Sequence, residues 1–149
     1  MLQTKQINIK KLRPDAISPT YGSEFAAGAD LYACIDEAVT IESGETVLTK
    51  TGLAMEIPTG YAGLIYARSG LATKRGLAPA NKVGVIDSDY RGEIMVALHN
   101  HSSISQTIEK GERIAQMIIT PYILGVYNVV DELDTTSRGE GGFGSTGRK

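Results

Sequence analysis

Hydrophobic and polar positions follow one another in short runs along most of the chain, and glycine or proline interrupts these runs about every eight to twelve residues up to Pro121. Runs of this length and spacing are typical of a β-sandwich or β-barrel. No apolar stripe with helical periodicity extends over a helix of ordinary length. We therefore predict an all-β fold, with strands at residues 39–42, 46–49, 53–57, 61–66, 94–98, 105–108, 114–119 and 126–130.

One short helix is predicted at residues 70–75. Ser69 is suited to capping its start, and Gly76 is suited to ending it in a left-handed conformation. Residues 27–31 read as a turn that leads into a strand. Residues 84–92 are predicted to form an irregular hairpin, because turn residues there follow a short apolar run.

Composition limits the classes of protein that fit. The chain has 149 residues, 42% of them apolar and 21% charged, which is typical of one soluble globular domain. A net charge of −2 argues against general binding of nucleic acid. The sequence shows neither an apolar leader nor a membrane span, and Cys34 as the only cysteine excludes an intrachain disulfide. We expect a cytoplasmic protein that uses neither membrane nor nucleic acid as a partner.

The glycine-rich C-terminal segment, residues 138–149, has two readings. It is either a disordered terminus or a phosphate-binding loop, since glycine lets successive N–H groups converge on an anion. Residues 142–147 match a dinucleotide-binding pattern, but no helix follows, and the lysine of a P-loop is missing. Arg138 and Phe143 favour the functional reading, because an arginine suits phosphate and an aromatic ring suits a flat base.

Two other segments carry candidate chemistry. Arg68, Ser69 and Gly70 precede the predicted helix, and they are either a helix cap with a surface arginine or a phosphate site at a helix N-terminus. Asp87 and Asp89 lie two residues apart. They stabilise a turn, bind a metal directly, or include a general base that takes a proton from water.

Other charged positions have simpler readings. His99 and His101 form a pair without a third metal ligand nearby in the sequence, and we interpret them as part of a solvated loop. Arg113 is most simply a charge at the entry to a strand. Asp30, by itself, belongs to a turn before an apolar run.

Five segments, taken together and in this order, resemble the trimeric dUTPase family. The resemblance covers nearly the whole chain, and its segments are residues 27–33, 67–72, 81–92, 111–117 and 138–147. Gly70 stands where many members of the family have serine. No other departure falls on a key position.

The resemblance implies both a fold and a reaction. The fold is a distorted jelly-roll β-barrel at residues 1–137 with a flexible lid at residues 138–149, assembled as a homotrimer that shares its active sites. The reaction is the hydrolysis of dUTP to dUMP and pyrophosphate with Mg²⁺. It limits the incorporation of uracil into DNA and supplies dUMP for the synthesis of dTMP.

The resemblance also implies residue roles. Asp87 would activate the attacking water, Asp30 would act on water bound to Mg²⁺, and Tyr90 would exclude a 2′-hydroxyl. Uracil would be read by Asn81 and the backbone of Gly84, Val85 and Ile86. The phosphates would be held by Arg68, Ser69, Gly70 and Gln116, and the lid would consist of Arg138, Phe143, Gly144, Ser145 and Thr146.

Two alternatives remain open on the sequence. A dCTP deaminase has a related fold but needs a carboxylate placed for deamination of the base. A non-catalytic module would keep the fold to bind another protein, and it would be expected to have lost Asp87 or the tail. Both features are present here.

Overall fold

The computed structural model describes residues 3–143, and these form twelve strands and one helix. The short lengths of the strands follow from the frequent turn residues. The elements are β1 (Asn8–Lys11), β2 (Thr20–Tyr21), β3 (Ala29–Tyr32), β4 (Val39–Ile41), β5 (Thr46–Lys50), β6 (Leu53–Glu56), β7 (Tyr61–Tyr66), α1 (Ser69–Arg75), β8 (Leu77–Pro79), β9 (Gly84–Ile86), β10 (Met95–Asn100), β11 (Gln106–Ile108) and β12 (Arg113–Pro121).

The strands pair in antiparallel ladders. The largest sheet has the order β2-β3-β12-β7-β9, and a second has the order β5-β10-β8. Two further ladders join β1 to β6 and β4 to β11. Because most neighbours are distant in sequence, the chain crosses repeatedly between sheets, which agrees with the expected all-β jelly-roll barrel.

The core lies between the sheets and is built from alternating positions. In β10, Val96, Leu98 and Asn100 are buried, while the residues between them are partly exposed. Asn100 is accommodated because its side chain makes hydrogen bonds with the carbonyl oxygens of Ile41 and Ile104 and with Ser102. Other fully buried side chains include Leu31, Ile41, Leu53, Leu77, Ile94, Ile108 and Ile114.

Seven of the eight predicted strands correspond to observed ones, and the eighth is wrong. Residues 126–130 are apolar enough for a strand, yet they pair with nothing in the described part of the chain. Val126, Tyr127 and Val129 are more than 90% exposed. Strand propensity alone therefore does not produce a strand where the chain supplies no partner.

The predicted helix is present with one correction. Gly76 ends α1 in the left-handed conformation, with φ 68°, as expected. Ser69 is not the cap, because the helix begins at Ser69 and Arg68 precedes it without a side-chain capping bond. The carbonyl oxygen of Ser69 instead accepts a hydrogen bond from the hydroxyl of Thr73 at 2.7 Å.

Residues 84–92 do not form the predicted hairpin. β9 pairs with β7, whereas the next strand, β10, pairs with β5 and β8, so the chain that follows β9 passes from one sheet to another. After β9 the chain turns, and the N–H of Tyr90 donates to the carbonyl oxygen of Asp87 at 3.2 Å.

Among residues 3–143, no helix is long and apolar enough to cross a membrane.

Candidate active site

A buried carboxylate joins two arginines at one end of the five-stranded sheet. Arg68 Nε donates to Asp30 Oδ1 at 2.7 Å, and Arg113 Nη1 donates to Asp30 Oδ2 at 3.3 Å. Asp30 is 8% exposed and lies on β3, beside β12. A buried carboxylate requires paired donors, which these arginines supply.

The arginines keep further donors after this pairing. A guanidinium has five N–H groups, and only one from each arginine is used on Asp30. Asp30 therefore fixes the positions of Arg68 and Arg113 and leaves most of their donors available to an anion. Arg113 begins β12 as predicted, but its ion pair with Asp30 was not predicted from the sequence.

Gln116 lies next to this carboxylate and is held in place from both sides. It pairs with Asp30 on β3 and with Tyr66 on β7, and its Nε2 donates to the carbonyl oxygen of Ala67 at 2.9 Å. A Cβ at Gly28 would lie 2.3 Å from Gln116 Oε1. The absence of a side chain at Gly28 is therefore what lets Gln116 occupy this position.

A cavity of about 410 Å³ opens beside the arginines. Four cationic side chains and a single carboxylate line it, so it favours an anion. Ser69 and Gly70 are exposed at the start of α1 next to it. Lys74 and Arg75 were not among the predicted site residues, although the sequence shows both in the last turn of the predicted helix. The lining residues are Arg68, Gly70, Leu71, Lys74, Arg75, Glu112 and Arg113.

The second group of predicted residues lies on β9 and in the turns that flank it. Asp87 is exposed, directly after β9, and its carboxylate makes no hydrogen bond within residues 3–143. Tyr90 follows in the same turn, and its hydroxyl donates to the carbonyl oxygen of Glu93 at 3.0 Å. A Cβ at Gly92 would lie 2.4 Å from that hydroxyl oxygen, so Gly92 leaves the space that the ring occupies.

The remaining members of this group surround the strand itself. Gly84 is buried against Ile65, and Val85 is 61% exposed. Asn81 lies in the preceding turn, with its amide nitrogen 3.5 Å from the position that a Cβ would take at Gly84. β9 is an edge strand of the large sheet, and Asn81 and Val85 are exposed along this edge.

The two groups lie at opposite ends of the β7–β9 ladder. Ile86 pairs with Gly63, three residues before the end of β7 at Tyr66. Asp87 lies one residue beyond this pair and Arg68 two residues beyond Tyr66, a span of roughly 20 Å at about 3.3 Å per residue. Within one chain, the structure therefore brings together Asp30, Arg68, Arg113 and Gln116, but not Asp87.

The described part of the tail, residues 138–143, makes no hydrogen bond to either group. Arg138 Nε donates to the carbonyl oxygen of Gly141 at 2.7 Å, and Phe143 is fully exposed with φ 49°. The other predicted lid residues, Gly144, Ser145 and Thr146, lie outside the described residues.

No group of three or more potential metal-ligating side chains occurs among residues 3–143. This excludes a direct D-x-D site completed by a third such side chain there. The resemblance implies instead a metal that is carried by the substrate phosphates and meets the protein through water. Asp30 fits that outer role, since a carboxylate accepts about four hydrogen bonds and the two arginines supply two of them.

The barrel and its cationic cavity define an all-β protein with an anion-binding site. Comparisons with known proteins are more specific. A family model described as dUTPase matches residues 15–147. The chain belongs to the dUTPase family.

Individual relatives agree over most of their lengths. The chain is 54% identical over 130 residues to a deoxyuridine 5′-triphosphate nucleotidohydrolase of Desulfitobacterium hafniense, covering 87% of this chain and 86% of that one. It is 48% identical over 150 residues to the Enterobacter sp. protein of the same name, covering 97% and 99%. The dUTPase of Staphylococcus bacteriophage 80alpha, solved with dUpNHpp, has a TM-score of 0.87 at 31% identity, covering 97% and 99%.

Proposed function

We propose that this protein hydrolyses dUTP to dUMP and pyrophosphate. Its membership of the dUTPase family and the names of relatives about 50% identical support this activity. The observation that carries the proposal is the cationic cavity beside the Asp30-anchored Arg68 and Arg113. A triphosphate needs such an array of fixed donors to offset its charge during attack by water.

The phosphates occupy the end of the site that contains Arg68, Ser69, Gly70 and Gln116. Asp87 acts from the other group of residues as general base. It takes a proton from water while the water oxygen bonds to phosphorus, and the bridge between the α- and β-phosphates breaks to release pyrophosphate. Its carboxylate is exposed and makes no competing hydrogen bond to any of residues 3–143, so it is available for this role.

Base and sugar are selected along β9. Asn81 and the backbone of Gly84, Val85 and Ile86 form hydrogen bonds to the uracil edge, which leaves polar groups unpaired when cytosine is offered. Tyr90 packs against the deoxyribose and excludes a 2′-hydroxyl. The contact of its ring with Gly92 and its bond to Glu93 support a fixed ring position.

Mg²⁺ is the proposed cofactor, bound mainly by the substrate phosphates. It supplies charge neutralisation at the triphosphate. On the protein side, Asp30 would accept a hydrogen bond from a water bound to the metal, and Arg68 and Arg113 keep its carboxylate in place.

A homotrimer with shared sites is the proposed assembly. Residues 122–133 support it, because they carry large apolar side chains that are almost fully exposed, such as Ile123 at 96% and Leu133 at 86%. Such a segment is expected to pack against another chain. The roughly 20 Å between Asp87 and Arg68 in one chain supports it too, since a second chain is needed to place an Asp87 beside Arg68 in one site.

The C-terminal residues, 138–149, are proposed as the lid. Arg138 and the amides around Gly144, Ser145 and Thr146 surround the phosphates when nucleotide is bound, and Phe143 covers the base. The Phe143 ring is completely exposed and packs against nothing in the described part of its own chain, which supports a contact with the bound nucleotide or with another chain. Closure excludes water, and reopening releases product.

One assay tests the function. Pyrophosphate release is measured from dUTP, dCTP, dTTP and UTP with Mg²⁺, alongside ammonia release from dCTP. We expect turnover of dUTP alone. Ammonia from dCTP would instead establish a deaminase, and binding of dUTP without any turnover would establish a binding module.

A further inference from the structure

His99 and His101 lie side by side on a part of the fold that the proposed reaction does not use. His99 is on β10, which belongs to the three-stranded sheet, and His101 follows directly after that strand. Residues two apart on a strand project from the same face. Their ring centroids are 4.4 Å apart, and the ring planes are inclined at 63°. The solvated loop expected from the sequence is therefore wrong for His99.

Both backbones are fixed, so the proximity of the rings is built into the fold. His99 is paired with Thr46 on β5 and with Ala78 on β8. The N–H of His101 donates to the carbonyl oxygen of Gly76, the residue that ends α1, at 2.8 Å. Neither ring can leave its neighbour without a change in side-chain rotamer.

A hydroxyl group orients the ring of His99. Thr46 Oγ1 lies 2.8 Å from His99 Nδ1 and can accept a hydrogen bond from it. When Nδ1 is the donor in this bond, the lone pair of Nε2 is free. Histidines that bind metals have this arrangement almost always, with the second ring nitrogen donating to a fixed partner.

The spacing of the rings also suits a common ligand. Two imidazoles bound to one ion through metal–nitrogen bonds of about 2 Å have ring centres roughly 4.5–5 Å apart. The observed 4.4 Å is close to this range.

We propose that His99 and His101 together bind a divalent transition-metal ion of the Zn²⁺, Ni²⁺ or Cu²⁺ type, with water in the remaining coordination positions. Imidazole suits these ions, whereas Mg²⁺ prefers oxygen ligands. The site is thus chemically distinct from that of the catalytic metal. The proposal does not depend on the function proposed above.

Two features determine the strength of this site. The pKa of His101 is lowered, first by partial desolvation of its ring and then by the nearby His99 and Lys82. The positive charge of Lys82 opposes a cation, and a site with two protein ligands is weaker than one with three or four.

The test is a titration of the full-length protein with Ni²⁺ and with Cu²⁺, in the absence of nucleotide. A chromogenic chelator reports the affinity for Ni²⁺, and electron paramagnetic resonance of the Cu²⁺ complex reports coordination by imidazole nitrogen. His101→Gln changes an exposed ring and leaves the backbone bond to Gly76 intact. Thr46→Val removes only the hydroxyl that orients His99.

We expect His101→Gln to weaken Ni²⁺ binding at least about 10-fold and Thr46→Val to weaken it by about 10- to 100-fold. Both variants are expected to keep the melting temperature of the metal-free protein and the Mg²⁺-dependent turnover of dUTP. Ni²⁺ should raise the melting temperature of the original protein more than that of either variant. Equal affinity in the original protein and His101→Gln, or a Cu²⁺ spectrum without imidazole nitrogen, would overturn the proposal.

Discussion

Arg68 and Asp30, 38 residues apart, form the shortest link of the ion-pair group, with Arg68 Nε donating to Asp30 Oδ1 at 2.7 Å. Arg113 contacts the other carboxylate oxygen. The carboxylate therefore sets the direction of two guanidinium groups before any anion arrives. Positions fixed in advance reduce the reorganisation that a charged transition state requires.

Replacing Asp30 by asparagine is expected to disrupt phosphate binding. The variant loses the charge that holds Arg68 and Arg113, and hydrogen bonds to charged groups contribute about 1.5–3 kcal/mol each. We expect kcat/KM for dUTP to fall about 10- to 100-fold, with KM rising more than kcat falls. Steady-state kinetics measures both. Glu112→Gln is the control, since Glu112 lines the same cavity but pairs with Arg75. An equal defect in the control would assign the effect to the charge of the cavity as a whole.

Local patterns in the sequence predict most of the strands because alternation and turn residues act over short distances. The same patterns cannot place residues 126–130, since an apolar segment forms a strand only beside a partner, and none of residues 3–143 pairs with this one. The prediction that Ser69 caps the helix is wrong because the helix begins one residue earlier than predicted, which makes Ser69 its first residue.

The site shows the same division between local and non-local information. The dUTPase-like segments contain Asp30, Arg68 and Gln116, and the structure brings these three together. The pairing of Arg113 with Asp30 is invisible in sequence, because it depends on β3 lying beside β12. The distance between Asp87 and Arg68 likewise follows only from the register of β7 with β9.

Asp87 is expected to be required for turnover but not for binding. Asp87→Asn keeps the shape of the turn and removes the base, and loss of a general base typically costs about 10²- to 10⁴-fold in rate. Its effect is measured as kcat together with a separate dissociation constant for a non-hydrolysable dUTP analogue. Asp89→Asn is the matched control in the same turn. If the two variants lose equal activity, the paired carboxylates act together instead of Asp87 alone.

Gly28 is expected to be required for the position of Gln116. A Cβ at residue 28 would lie 2.3 Å from Gln116 Oε1, so Gly28→Ala forces the amide away from Ala67. We expect a folded protein with a raised KM for dUTP. Gly22→Ala serves as the control, because nothing lies within 4 Å of its added Cβ. Unchanged kinetics in Gly28→Ala would show that the position of Gln116 is unimportant for binding.

A surface ion-pair group is expected to make stability depend on pH. Hydrogen bonds from Arg13 to Asp15 and Asp36 hold the pKa of both carboxyls below their ordinary range, and Lys110 assists at Asp15. Since the pKa is lowered in the folded state, the stabilisation is present above an ordinary pKa of about 4 and is lost as pH falls below it. Arg13→Gln should therefore lower the melting temperature at pH 7 but progressively less below pH 4. A difference that stays constant with pH would contradict this account.

Deleting residues 138–149 is expected to separate activity from stability. The described part of this segment makes only local contacts, such as the bond from Arg138 to Gly141, so its removal costs little core burial. The melting temperature should barely change. Turnover of dUTP should fall at least about 10-fold, because charge-assisted bonds to the phosphates are lost.

The variant Phe143→Ala isolates one part of this effect. The ring is fully exposed in the fold of a single chain, so its loss should remove no packing from that fold. With nucleotide bound, the ring is proposed to cover the base, and Phe143→Ala should show a milder defect than the deletion. Closure orders the tail at a cost in conformational entropy of about 1 kcal/mol per residue. Hydrogen exchange of the tail, measured with and without a non-hydrolysable analogue, checks this ordering directly. Full activity in the deletion would make the segment a dispensable terminus, and a large drop in its melting temperature would make it structural.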